Sequence, residues 1–245
     1  MATTLKVALV QFDAKPEKPK ANLAAMGRLA REAAGKGAGL VMFHEGTLTD
    51  YTPRLKSLAE PVPDGPACRR MERVARELGV YLSFGLSEDD RGRCYITQVF
   101  MAPHGFLYAY RKTWLWREPG DEGYRNEHAR YDPGTGPELF EIAGLRATCF
   151  ICADGEAPRC IERARALRPQ VVFYPNNRGG LPELPVFGAR ARRIGAVMLV
   201  TNRTGRSWIR DCQGGCAVYG ADGSVSAAAN REGRQEILYH TLRLA

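Results

Sequence analysis

The hydrophobic and polar positions of the chain alternate between short apolar runs and longer stretches with helical periodicity. The runs LKVALVQF at 5–12 and AGLVMF at 38–43 predict buried strands. The stretch at 18–35 between them has the spacing of a helix that buries one face. A strand, a helix and a second strand in this order are typical of α/β proteins.

The next predicted helix has a marked beginning and end. Asp64 can cap its first turn, Pro66 fits the first helical position and Gly79 can terminate it. Beyond it the pattern predicts strands at 80–86, 145–153, 170–175 and 197–202, a hairpin at 94–112, helices at 158–167 and 186–196, and short strands with turns from 216 to 242. Because strand-helix units alternate with hairpins and strands outnumber helices, we expect an α/β fold. We expect two mixed β-sheets packed face to face, with the helices outside.

Length and composition favour one domain that spans residues 1–245. The 245-residue chain is 44% hydrophobic and 25% charged, and no flexible or charged linker separates its periodic segments. Its apolar stretches fall short of the roughly 18 residues that a membrane span requires. The opening MATTLKVALVQF enters the first strand without a basic start or a cleavage site, so we expect a cytoplasmic protein.

Charge and cysteine content limit the partners that we expect. The net charge of +8 is compatible with nucleic-acid binding. The arginines, however, are scattered through helix-like stretches such as CIERARALRP, which is typical of solvated helix faces. Seven cysteines, an odd number without a secretion signal, favour reduced thiols over a disulfide framework.

Three reactive side chains come directly after apolar strands, and they are Glu45, Lys112 and Cys152. In α/β folds, functional groups collect at strand ends, where loops expose them on a rigid base. A carboxylate, an ammonium and a thiol together can activate a nucleophile and stabilise an oxyanion. Lys112 is also the only lysine after Ser57, in a region that otherwise uses arginine. A compact ammonium with three donors is something that a planar guanidinium cannot imitate.

Each of these side chains also has a purely structural interpretation. A cysteine in an apolar strand is usually a small hydrophobic residue, and a lone Glu or Lys is usually solvated. In TCFIC, Cys149 and Cys152 lie three residues apart along a predicted strand, so their side chains point to opposite faces. We therefore expect Cys149 in the core and Cys152 at the site, rather than a redox pair or a zinc site.

Phosphate, metal and cofactor motifs find little support in the sequence. The glycine pairs at 134–136 and 178–180 lack the spacing of a P-loop or a dinucleotide fingerprint. The four histidines form no metal-ligand pattern. We therefore predict neither a metal nor a cofactor.

Taken together, these segments resemble the nitrilase superfamily of carbon-nitrogen hydrolases over nearly the whole chain. LVMFHEGTLTDY resembles the family segment with the catalytic glutamate, YRKTWLW its lysine segment, and CFICADGEAP its nucleophile segment. EHARYDPG is similar to the place where the family keeps a second glutamate, which is Glu127 here. ARARRIGAVMLVTNRTG and GGCAVYGADG resemble two downstream motifs.

The resemblance implies a four-layer αββα sandwich, often paired as a homodimer. It also implies that Glu45 takes a proton from Cys152, whose sulfur attacks an amide, carbamoyl or nitrile carbon. Lys112 and the backbone N–H of Ala153 are then expected to bind the oxyanion. Glu127 is expected to hydrogen-bond Lys112 or the substrate nitrogen.

Departures from the family pattern concern the substrate. Glu156 stands where the family often has an arginine, and Arg159 stands where an acidic residue is usual. Glu156 is suited either to attract a cationic amine or to pair with a nearby arginine. The residues that we predict to line the substrate pocket are Tyr51, Trp114, Glu156, Asn176, Asn177 and Arg178. Core packing explains the aromatic members of this set about as well.

We predict a thiol-dependent hydrolase of non-peptide C–N bonds, an amidase that releases ammonia from a small linear amide or carbamoyl compound. The intermediate is expected to be a thioester on Cys152. A nitrilase and an N-carbamoyl amino acid or amine hydrolase share the same core residues. Two more distant alternatives are a non-catalytic scaffold or sensor, and a metal-dependent nuclease on a similar sandwich. The partners that we expect are a small-molecule substrate and further copies of this chain, in a homodimer or a higher homo-oligomer, without nucleic acid or membrane.

Overall fold

Two six-stranded sheets dominate the computed structural model, which describes residues 3–117, 120, 126–181, 183–207 and 211–244. In these residues the helices are α1 (Pro19–Gly35), α2 (Leu55–Leu58), α3 (Pro66–Leu78), α4 (Pro158–Ala166) and α5 (Leu184–Ile194). The strands are β1 (Thr3–Gln11), β2 (Leu40–Met42), β3 (Tyr81–Asp90), β4 (Arg93–Ala102), β5 (Gly105–Arg111), β6 (Phe140–Ile142), β7 (Leu145–Cys149), β8 (Val171–Pro175), β9 (Val197–Thr201), β10 (Thr204–Arg206), β11 (Asp211–Gln213), β12 (Ala217–Tyr219), β13 (Val225–Ala228) and β14 (Glu236–Leu244).

Both large sheets are mixed. The first has the order β14-β1-β2-β3-β4-β5, in which β1, β2 and β3 run parallel and their neighbours antiparallel. The second has the order β13-β12-β9-β8-β7-β6, in which β7, β8 and β9 run parallel. The parallel strands lie centrally in each sheet, which is the arrangement that strand-helix units produce.

Alternating residues of the first sheet belong to two separate cores. Val7 and Leu9 of β1 pack in a core shared with β7, β8 and β9 of the second sheet. Ala8 and Val10 pack in a core shared with α1 and α3. Successive side chains of a strand point to opposite faces, so this alternation places the first sheet between the helices and the second sheet. Each fully buried aliphatic side chain contributes roughly 1.5 to 3 kcal/mol of transfer free energy.

The outer face of the second sheet is covered by α4 and α5. Ile161 of α4 and Phe187 of α5 are buried against it, and the Phe187 ring stacks on Tyr174 of β8 at 5.1 Å between centroids. The order of layers is therefore helices, sheet, sheet, helices. The predicted four-layer αββα sandwich is confirmed.

Two local predictions were wrong. The N-cap of α3 is Gly65, without a side-chain capping bond, rather than Asp64. The carboxylate of Glu60 accepts the Ala67 N–H at 2.7 Å instead, because the preceding loop carries Glu60 back to the start of the helix. The strand predicted at 145–153 ends at Cys149, since Cys152 has a φ of 45° that no strand can accommodate.

Among the described residues, every helix is too short or too polar to cross a membrane. The seven cysteines are free thiols, six of them buried and Cys152 half-buried. Cys149 lies in the core as predicted, with none of its surface exposed.

Candidate active site

The loop after β2 presents Glu45 from a position against the backbone of β3. A Cβ at Gly85 of β3 would lie 2.3 Å from the backbone N of Gly46 and 2.8 Å from the carbonyl O of His44. Only a glycine at 85 therefore allows this loop to approach the sheet so closely. The carboxylate of Glu45 is buried, with 1% of its side chain exposed.

Lys112 comes directly after β5 and is fully buried, with none of its side chain exposed. Its backbone N–H donates to the carbonyl of Ile96 at 2.8 Å, which extends the β4–β5 pairing by one residue. Its Nζ donates to Glu45 Oε1 at 2.8 Å and to Glu127 Oε1 at 2.9 Å. A buried ammonium is stable only when it is paired in this way.

The two carboxylates that hold Lys112 differ in their remaining partners. Both oxygens of Glu127 are engaged, because the Trp116 N–H donates to Oε2 at 2.6 Å. On Glu45, Oε1 accepts from Lys112 and, at 2.5 Å, from the Tyr51 hydroxyl. Its Oε2 is buried and has no hydrogen-bond partner in the part of the chain that the structure describes. Glu45 therefore keeps a free acceptor, while Glu127 is fixed.

Cys152 lies in a strained turn just beyond β7. Its φ of 45° is in the left-handed region that non-glycine residues adopt at a cost of order 1 to 3 kcal/mol. The turn carries the half-buried side chain into a cavity that Glu45, Glu127 and Ala153 also line. The structure thus brings three of the predicted catalytic side chains and the predicted oxyanion residue to one cavity. Lys112 lies outside the described lining and reaches the site through its bonds to Glu45 and Glu127.

The charges in this cavity shift the protonation of its groups. Burial lowers the pKa of Lys112, but the carboxylates of Glu127 and Glu45 outweigh it, so the pKa lies well above the ordinary value. Burial, assisted by the charge of Glu45, raises the pKa of Cys152 to about 12 against the opposing effects of Lys112 and Arg178. The resting thiol is therefore protonated at neutral pH, and its attack requires a base.

The raised pKa of Glu127 leads us to expect that the stability of the protein depends on pH. Burial, together with the charge of Glu45, raises its pKa to about 7 although Lys112 opposes this. Because the folded state binds this proton more tightly than the unfolded state, the stabilisation is present below the ordinary pKa of 4.5 and is lost as the pH rises through about 7. We expect the free energy of unfolding to fall between pH 5 and 8 by about 1 to 3 kcal/mol more in the wild type than in Glu127→Gln. Urea unfolding of both proteins measures this, and parallel pH curves would contradict it.

Asp154 ties the lysine loop to the nucleophile loop. Its buried carboxylate accepts the N–H groups of Thr113 at 3.0 Å and of Ile151 at 2.9 Å, and the hydroxyl of Tyr110 at 2.8 Å. The first donor follows Lys112 and the second precedes Cys152. We did not predict this role from the sequence. The sequence feature that could have indicated this role is an aspartate two residues after the nucleophile. Its function becomes clear only when the lysine loop and the nucleophile loop are seen side by side.

The cavity has a volume of about 360 Å³ and contains most of the predicted substrate-binding residues. Tyr51, Glu156, Asn177 and Arg178 line it, and Trp116 lines it as well. Two predicted members lie outside the described lining, and they are Trp114 and Asn176.

The contacts of these two residues explain why they are outside. Trp114 is 42% exposed, and the guanidinium of Arg159 lies over its ring at 4.9 Å. Asn176 is fully buried and donates to the carbonyl of Tyr174 at 2.8 Å, while its own oxygen accepts from Arg178 at 3.0 Å. Asn176 therefore positions Arg178 and does not itself reach the cavity.

Glu156, for which we left two roles open, pairs with Arg178 at 2.5 Å. Asn177 is held from the other side, because its amide donates to Asp50 at 2.9 Å. Asp50 in turn pairs with the fully buried Arg203 at 2.8 Å. Residues 177–180 of the segment YPNNRGG thus form a cavity wall in which the charge of Arg178 is compensated by Glu156.

Comparisons with known proteins agree with this geometry. A family model described as carbon-nitrogen hydrolase matches residues 6–245. The chain belongs to the carbon-nitrogen hydrolase family. This carbon-nitrogen hydrolase superposes on the crystal structure of an amidase from Nesterenkonia sp. with a TM-score of 0.86 at 24% identity, covering 98% of this chain and 90% of the other.

Two relatives of this carbon-nitrogen hydrolase are a nitrilase and an omega-amidase. A nitrilase from Pyrococcus abyssi is 28% identical over 71% of this chain, and an omega-amidase from Xenopus tropicalis is 34% identical over 69%. The matched part of the chain spans 65% and 62% of their lengths, which is less than two thirds. A variant of the Nesterenkonia amidase is described with the acetamide moiety of fluoroacetamide added covalently at its active-site cysteine.

Proposed function

We propose that this carbon-nitrogen hydrolase is a thiol-dependent amidase of small linear amides or carbamoyl compounds, with Cys152 as its nucleophile. The observation that carries the proposal is the asymmetry of Glu45. One of its oxygens accepts from Lys112 and Tyr51, whereas the other is buried without a hydrogen-bond partner among the described residues. Glu45 and Cys152 line the same cavity. A free, oriented carboxylate oxygen is what a protonated thiol requires as a base.

The first half of the reaction forms a thioester. The sulfur of Cys152 attacks the amide carbon as its proton passes to Oε2 of Glu45, and the carbonyl electrons move to oxygen. Lys112 Nζ and the Ala153 N–H stabilise this oxyanion, and one such donor contributes about 3 to 4 kcal/mol. When the oxyanion collapses, the C–N bond breaks, the nitrogen takes the proton from Glu45, and ammonia leaves.

The second half returns the enzyme to its resting state. A water molecule gives a proton to Glu45 and attacks the thioester carbon, and the C–S bond then breaks. The sulfur recovers its proton from Glu45, and the carboxylic acid leaves. Throughout both halves Glu127, whose oxygens are both engaged, holds Lys112 in place.

The cavity supports a small substrate. Its volume of about 360 Å³ suits a compact molecule, and Trp116, Val186 and Phe187 provide apolar contacts. Glu156 is compensated by Arg178, which makes it a poor anchor for a cationic amine. These features favour an amide over an amine-bearing carbamoyl substrate.

A screen of ammonia release tests this function. Small aliphatic amides, ureido acids and nitriles are incubated with the wild-type protein, and mass spectrometry searches for an acyl adduct on the peptide that contains Cys152. We expect ammonia and the acyl adduct from one or more amides. Release from nitriles alone would support a nitrilase instead, and release from ureido compounds alone an N-carbamoyl hydrolase. Absence of release from all three classes would support a non-catalytic member.

Family membership leaves no support for the nuclease alternative. The cytoplasmic location and the single-domain organisation stay predictions. So does the homodimer, for which light scattering after size-exclusion chromatography should give twice the chain mass of 27.1 kDa.

A further inference from the structure

One peptide unit contributes to both the nucleophile and the oxyanion site. The carbonyl group of Cys152 and the N–H of Ala153 belong to the same planar unit, in which the two groups point in opposite directions. Whatever holds the carbonyl therefore also sets the direction of the N–H. Ala153 lines the cavity in which an oxyanion would form.

The shorter of two hydrogen bonds to this carbonyl comes from the hydroxyl of Tyr174, which donates to Cys152 O at 2.7 Å. Tyr174 lies on β8 and is fully buried, outside the described lining of the cavity. Its ring is fixed between Phe150, at 4.5 Å between centroids, and Phe187, at 5.1 Å. The position of the hydroxyl is therefore set by the packing of the second sheet.

The neighbouring turn is shaped to admit this hydroxyl. A Cβ at Gly155 would lie 2.3 Å from the Tyr174 oxygen, closer than any real contact. A glycine at this position lets the turn after Cys152 close over Tyr174. The hydrogen bond from Tyr174 to Cys152 therefore depends both on the packing of the tyrosine ring and on the glycine in the turn.

Two guanidinium groups act on the same hydroxyl. Arg190 donates to the Tyr174 oxygen at 3.1 Å, and Arg178 reaches both that oxygen and Cys152 O at 3.5 Å. Burial raises the pKa of Tyr174 even though both arginines oppose this, so the hydroxyl retains the proton that it donates. Donors in series polarise one another, which makes the Ala153 N–H a stronger donor at the far end of the chain.

We propose that Tyr174 is a positioning residue for the oxyanion site, because its hydrogen bond to the Cys152 carbonyl aims the Ala153 N–H into the cavity. The proposal rests on the amidase function proposed above and adds a residue that touches neither the substrate nor the sulfur. A purely structural role, in which the bond only satisfies a buried hydroxyl, predicts a loss of stability without a change in catalysis.

The test compares two reactions of Cys152 in Tyr174→Phe, a change that keeps the ring. Hydrolysis of an amide passes through an oxyanion. In alkylation by iodoacetamide the sulfur displaces iodide from a saturated carbon, and no oxyanion forms. We expect kcat for the best amide to fall about 10- to 100-fold with KM within about threefold, since removal of a whole donor costs about 100- to 1,000-fold. The rate of alkylation by iodoacetamide should stay within about threefold of the wild type.

Tyr219→Phe is the matched control. Tyr219 is a buried tyrosine of the same sheet, and its hydroxyl has no hydrogen-bond partner among the described residues. We expect its variant to keep the wild-type kcat. If Tyr174→Phe does not fold, Gly155→Ala displaces the hydroxyl instead, and the same loss of kcat with retained alkylation is expected.

Two results would overturn the proposal. One is a kcat of Tyr174→Phe within about twofold of the wild type. The other is a parallel loss of alkylation and hydrolysis, which indicates general damage to the loop. Neither is confused with failure of the amidase function, which would appear as a wild-type protein that hydrolyses no amide or does so without Cys152.

Discussion

Cys152→Ala should lower kcat by about 10,000-fold or more, because removal of a nucleophile abolishes the covalent route and leaves only binding and oxyanion stabilisation. The side chain is half-buried and lines the cavity, so its truncation leaves no large void in either core. We therefore expect a folded protein with unchanged circular dichroism. The measurement is steady-state ammonia release from the best amide of the screen.

Cys68→Ala is the control for this change. Cys68 is a residue of α3, and its fully buried side chain packs in the core between this helix and the first sheet. It does not line the cavity. We expect its variant to keep its turnover and to lose about 1 kcal/mol of stability. Turnover by Cys152→Ala above about 1% of the wild-type rate would rule out the thioester mechanism.

Lys112→Arg should be nearly as damaging as Lys112→Ala. The ammonium is fully buried and donates at 2.8 and 2.9 Å to two carboxylates. A guanidinium is larger and spreads its donors over a plane, so it cannot keep both bonds and also face an oxyanion. We expect kcat/KM to fall at least about 100-fold in both variants, with less than about tenfold between them.

The alanine variant should also be less stable. It leaves Glu45 and Glu127 buried without their cation, and breaking a buried pair costs about 3 to 5 kcal/mol. Urea unfolding measures this loss of stability. The activity of both variants is assayed at temperatures where circular dichroism shows them folded.

The control for Lys112→Arg is Lys56→Arg, at an exposed lysine of α2, which should leave kcat/KM unchanged. A rate for Lys112→Arg close to the wild type would refute the requirement for a compact ammonium.

The sequence by itself predicted the layers of the fold. The continuous apolar run at 5–12 predicted a buried strand, and the structure shows Val7 and Leu9 in one core and Ala8 and Val10 in the other. The order of apolar runs also placed Glu45, Lys112 and Cys152 just past strand ends. Their co-occurrence was enough to predict a common site.

The tertiary structure alone decided which atoms are free and which are engaged. The family resemblance named Glu45 as the base, but the physical difference from Glu127 lies in the donors that reach each oxygen from Tyr51 and Trp116. The sequence also cannot show that Asp154 joins two loops whose partners lie about forty residues apart.

The errors have the same origin. Trp114 was predicted in the pocket, and Asp64 was predicted as a helix cap, from local sequence. Local sequence specifies which conformations and contacts a residue can form. The choice among them depends on neighbours that only the packed chain brings within hydrogen-bond distance, since such bonds change steeply over a few tenths of an ångström.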